Sequence, residues 1–147
     1  MLFRSNYYQS VDTPQNKQFV SNFKAYCKKN NLPDGDKRVT DDPIEAAYFG
    51  VHVWKQAVEK AGSIEVDKVR KAVYGQKFLA PGGEIMMDQG NHHTHKPVLI
   101  GEILKDGQFK IVSRSKGLVK PEPWSEYTSP DKGCDWISHQ GTYSKKG

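Results

Sequence analysis

The 147-residue chain is expected to fold as an α/β protein with three helices, then a β-rich segment, then an extended tail. Apolar residues recur with helical spacing up to Tyr74, and from Phe78 they come in short runs broken by Gly, Pro and Asn. Glycines stand where helices should stop, at Gly62 and Gly75, and Lys105-Asp106-Gly107 has the composition of a hairpin turn.

The first residues, with Leu2-Phe3 and Tyr7-Tyr8 close together, read as a strand end that meets a turn at Asp12-Thr13-Pro14. Phe19, Phe23 and Tyr26, with Val20 and Cys27 beside them, make an apolar stripe on a first helix. Asp12 or Thr13 would cap it, Pro14 suits its first turn, and Lys28-Lys29 meets the negative end of its dipole. In the second helix Asp42, Pro43 and Glu45 are spaced as a capping carboxylate, a first-turn proline and the acid of a capping box. Ile44, Ala47, Tyr48, Val51, Trp54 and Val58 form its predicted apolar row. A shorter helix is expected over residues 65–74, with Val66, Val69 and Val73 on one side. Strands are expected over 83–87, 98–104 and 108–112, and beyond 113 the prolines, Trp124 and Trp136 follow no period.

Composition narrows the function. A mean hydropathy of -0.74 leaves no apolar run of membrane-spanning length. The net charge of +5 is spread along the chain, without the basic stripe a phosphate backbone requires, so nucleic acid is not an expected partner. Cys27 and Cys134 are too far apart for a CxxC pair and too few for a disulfide framework.

Asn91-His92-His93-Thr94-His95 invites a metal reading, yet zinc needs three or four ligands and the nearest carboxylates, Glu84 and Asp88, complete no familiar set. A polar loop is the simpler account, and neither a metal nor a cofactor is expected. No Gly-x-Ser-x-Gly elbow is present, and Ala80-Pro81-Gly82-Gly83 precedes a strand where a phosphate loop would precede a helix. The start of the second helix, residues 40–48, is either a well-capped structural element or a helix N-terminus turned toward a cleft. There free N–H groups would take a carbonyl oxygen while Asp42 or Glu45 accepts N–H donors beside the Tyr48 ring.

Several linked blocks carry a family resemblance. They are Asn6-Tyr7-Tyr8-Gln9-Ser10-Val11-Asp12-Thr13-Pro14, Arg38-Val39-Thr40-Asp41-Asp42-Pro43-Ile44-Glu45-Ala46-Ala47-Tyr48, Trp54-Lys55-Gln56-Ala57, Tyr74-Gly75-Gln76, Asn91-His92-His93 with Lys96-Pro97-Val98, and Pro123-Trp124-Ser125. In this order they resemble the C-terminal part of the urea-binding proteins of ABC importers, among the type I periplasmic binding proteins. The resemblance implies a two-lobed α/β fold, a small ligand such as urea or a short amide between the lobes, a membrane permease as partner, a periplasmic setting and no enzymatic activity. It also implies that the chain corresponds to about the last third of such a protein, with residues 1–113 in the lobes and 114–147 as a tail lying on them. Under it the ligand-binding residues are Asp42, Pro43, Glu45 and Tyr48, with Tyr7 and Tyr8. Carboxylates would take urea N–H groups, a backbone N–H the oxygen, and an aromatic face would close the plane. Two other readings are a zinc-dependent hydrolase using His92, His93 and His95, and a cytoplasmic amide sensor on the same fold.

Overall fold

A computed structural model of the chain describes residues 1–122. Strand β1 (Leu2–Ser5) leads to helix α1 (Pro14–Lys29), a 3-10 turn (Gly35–Lys37), α2 (Asp42–Ala61) and α3 (Val66–Val73). Strands β2 (Lys77–Ala80), β3 (Gly83–Met87), β4 (Thr94–His95), β5 (Leu99–Ile103) and β6 (Phe109–Arg114) follow. They form two three-stranded antiparallel sheets, ordered β1-β5-β6 and β2-β3-β4. The α/β architecture matches expectation, with one strand placed ahead of the helices. Trp124, Trp136 and the rest of the expected tail beyond residue 122 lie outside the described residues.

The punctuation residues act as their chemistry requires. Thr13 caps α1 by accepting the Asn16 N–H, and Gly62 ends α2 in the left-handed region at φ 59°. Gly107, at φ 80°, turns β5 into β6. Residues 80–83 contain a two-residue connection, Pro81-Gly82, that folds β2 onto β3.

Two sequence expectations for α2 are corrected. The cap is Asp41, whose Oδ1 accepts the Ile44 N–H at 2.9 Å, and Asp42 is the first helical residue. Glu45 closes no capping box; it is fully buried. The inward row is Glu45, Phe49, Val53 and Ala57, rotated by about 100° from the predicted one. Tyr48, Val51 and Trp54 are exposed. In α1 the buried residues are Asn16, Phe19 and Cys27, while Tyr26 faces solvent. Exposed aromatics continue an apolar period without belonging to the core, because only packing partners bury them.

Two cores result. Tyr7, Tyr8, Val11, Phe19 and Leu99 pack under sheet β1-β5-β6, and Phe49, Val53, Ala80 and Ile85 pack under sheet β2-β3-β4. Helix α2 contributes to both, with Ile44 on the first and Phe49 and Val53 on the second. Its N-terminus therefore sits between the two sheets, beside the β2–β3 turn.

Candidate functional site

A cleft of about 350 Å³ opens at the start of α2. The Ser5–Gln9 segment, the Val39–Pro43 segment and the β5–β6 turn at Gly107–Phe109 line it. It brings together four predicted site residues, Tyr7, Tyr8, Asp42 and Pro43, and leaves out Glu45 and Tyr48. The Tyr48 ring packs 4.8 Å from Phe19 and 4.6 Å from His52, and it faces a separate groove with Pro14 and Leu79.

The two tyrosines form the cleft's rigid base, because their hydroxyls are already engaged. Tyr7 donates to Asn16 Oδ1 at 2.7 Å and lies 2.8 Å from Thr40 Oγ1. Asn16 in turn donates to the carbonyls of Gln9 and Val11, and Gln9 Oε1 accepts the Thr40 N–H. This network holds the loop after β1 against the segment leading into α2. Burial pushes the Tyr7 phenol up to about 12, partly offset by its bond to Thr40 and reinforced by the Glu45 and Asp41 carboxylates. Tyr8 donates to Phe3 O at 2.7 Å and stacks on Phe109 at 4.5 Å.

The helix start supplies the remaining polar groups. Pro43 has no N–H, the Ile44 N–H is capped by Asp41, and the Glu45 N–H bonds Asp41 O. Among the described residues this leaves the Asp42 N–H free, with a second oxygen on each of Asp41 and Asp42. Among the described residues two carboxylates and no lysine or arginine line the cleft.

Glu45 acts from beneath. Its Oε1 accepts the Gly82 N–H at 2.6 Å, and its Oε2 pairs with Lys96 Nζ at 2.8 Å. Lys96 also reaches Asp42 Oδ1 at 2.5 Å and lies over the Phe49 ring. A buried carboxylate requires such partners, since an unpaired one would be strongly disfavoured. A Cβ on Gly82 would come 2.7 Å from Glu45 Oε1, so glycine is needed at this turn. Two further bonds fix the same tip: Thr13 Oγ1 donates to Pro81 O at 2.8 Å and Arg114 to Gly82 O at 3.0 Å.

Sequence reasoning gave no role to Lys96 or Asn16, and it placed Thr40 in the candidate segment 40–48 without its bond to Tyr7. Lys96 is separated from Asp42 by 54 positions, and only its place beside the histidine block drew notice. The histidines take three different surroundings. His92 stacks on Tyr74 and approaches Arg70 O, His93 is exposed, and His95 Nε2 lies 2.8 Å from Asp88 Oδ2. The Gly90 N–H, and secondarily His95, hold the Asp88 carboxyl below its ordinary value. Among the described residues no group of three or more His, Cys, Asp and Glu side chains could hold a metal, which leaves the zinc-hydrolase reading without a ligand set. No helix among them is long and apolar enough to cross a membrane.

Three helices packed on two antiparallel sheets, with a cleft at the start of α2, make an α/β unit, and comparison with known proteins gives its family. The chain belongs to the family described as periplasmic binding protein domain, whose profile matches residues 2–130. It is similar to a solute binding protein of an ABC transporter from Rhodopseudomonas palustris HaA2, solved with p-hydroxybenzoic acid. That likeness has a TM-score of 0.65 and 27% identity, over 81% of this chain and 32% of the other. A leucine binding protein from Thermotoga maritima MSB8 shares the fold at TM-score 0.58 and 23% identity, over 78% of this chain and 30% of the other. A curated relative named limonene hydroxylase, from Geobacillus stearothermophilus, is 31% identical over 119 residues. That match covers 81% of this chain and 20% of the relative. The chain thus spans about a third of the solved relatives' length and a fifth of that curated one.

Proposed function

We propose that the chain supplies one wall of the ligand cleft of an ABC-importer solute-binding protein, a non-enzymatic periplasmic receptor that delivers its ligand to a membrane permease. In this reading residues 1–113 belong to the lobes and 114–147 form a tail. The ligand is a small, planar, N–H-rich molecule, either urea or a short amide. One observation carries the ligand class: two carboxylates line the cleft beside an Asp42 N–H without a partner, and among the described residues no lysine or arginine lines it. Urea offers four N–H donors and one carbonyl oxygen to that set. Asp42, with Asp41 beside it, would take N–H groups, the Asp42 N–H would take the oxygen, and Pro43, Tyr7 and Tyr8 would shape the wall. Glu45 would act through Lys96, and Tyr48 from the neighbouring groove would contribute only to packing.

A second reading, an aromatic carboxylate, is favoured by the relative solved with p-hydroxybenzoic acid. It would need a cation from outside the described residues. Calorimetric titration of the full-length gene product with urea, acetamide, leucine and 4-hydroxybenzoate separates the two. Heat with urea or acetamide alone is expected. Binding of 4-hydroxybenzoate alone would replace the amide reading, and no binding of any of the four would reject both.

A further inference from the structure

The lysine beneath the cleft stands in an unusual position. Its side chain is 11% exposed, and it joins a fully buried carboxylate, Glu45, to one that is 36% exposed at the cleft edge, Asp42. Glu45 is committed on both oxygens, to Gly82 and to Lys96, so it cannot turn toward a ligand. Asp42 is committed on Oδ1 only. Among the described residues its Oδ2 makes no hydrogen bond, and Asp42 lines the cleft. The ion pair therefore does two things at the site. It fixes the orientation of the Asp42 carboxylate through a short, charge-assisted bond, and it offsets part of that carboxylate's charge from the protein side, the rest of the lysine charge being shared with Glu45.

We propose that Lys96 is a specificity-determining positioning residue. By pairing with Asp42 from beneath, it orients the second carboxylate oxygen as a hydrogen-bond acceptor for a neutral N–H donor and lowers its advantage for a cation. The inference rests on the reading of the cleft as an amide site. Urea and guanidinium are close to isosteric, both flat and N–H-rich, and they differ in charge, so their affinity ratio isolates this effect. With Lys96 present, urea is the preferred ligand. Without it, Asp42 and Asp41 border the cleft with no lysine paired to them, and the cation gains.

The test is calorimetric titration of the full-length gene product with urea and with guanidinium, for wild type, Lys96→Met and Asp42→Asn. At millimolar concentrations, far below those at which urea or guanidinium unfolds a protein, both ligands see the same folded fraction, so their ratio does not respond to a mere loss of stability. Lys96→Met is expected to shift the ratio toward guanidinium by about tenfold or more, and Asp42→Asn to shift it toward urea. If Lys96→Met does not fold, Lys96→Gln, which removes the charge and keeps a hydrogen-bond donor for the two carboxylates, takes its place with the same expected shift. A ratio unmoved in the folded variants, with wild type still binding urea, would overturn the role of Lys96 and leave the amide reading in place. Wild type binding neither ligand would overturn both.

Discussion

Tyr7 carries its phenol in a buried position, 2% exposed, with Asn16 and Thr40 as partners. The folded state holds this proton more tightly than the unfolded chain, in which the phenol keeps its ordinary value of 10. Its contribution to stability is therefore complete below about pH 10 and is lost as the pH rises toward 12, at up to about 1.4 kcal/mol per unit. Tyr7→Phe should cost about 1–3 kcal/mol at neutral pH by leaving buried polar partners unmet. It should also remove this alkaline slope. Denaturant unfolding of both proteins from pH 8 to 12 measures the difference; parallel curves would show that Tyr7 does not titrate in this way. The residue scale was also the least legible in the sequence. Tyr7, Tyr8, Asp42 and Pro43 could be singled out because they stand in distinctive blocks, whereas Lys96 and Asn16 have roles set by neighbours that only the fold supplies.

Elements were easier to read where turn chemistry marks them. Strand β3 coincides with the expected 83–87, and the Gly62 and Gly107 signals fall where the backbone turns left-handed. The phase of α2 was misread for a specific reason. Its inward row begins with a glutamate, and a search for apolar periodicity passes over a charged residue whose partner, Lys96, lies far along the chain. Glycines show how local context sets the sign of a substitution. Gly101 sits at a register shift between β5 and β6, and a Cβ there would meet the Tyr8 ring at 2.8 Å and Phe109 at 3.0 Å. Gly50, inside α2, has open space around it. Gly101→Ala should destabilise by about 1–3 kcal/mol through overpacking, while Gly50→Ala should stabilise by up to about 1 kcal/mol through helix propensity. Thermal melts of the two variants check both signs, and a neutral Gly101→Ala would mean that Tyr8 yields easily.

At the scale of the whole molecule, α2 joins two cores and two sheets, and that joining was not visible in the sequence. Pairing of β1 with β5 links residues about a hundred positions apart, and no local pattern encodes such a contact. A further tie across the chain is the Pro81-Gly82 turn, bonded to Thr13 at the start of α1, to Glu45 in α2 and to Arg114 at the end of β6. Hairpin tips ordinarily trade their amide hydrogens with water quickly, because they open without disturbing anything else. Here the Gly82 amide can be released only by breaking its bond to a buried carboxylate that also anchors Lys96. Its deuterium uptake should therefore follow the slow amides of the α2 interior, and rapid labelling at Gly82 would mean that the turn opens independently of the helix.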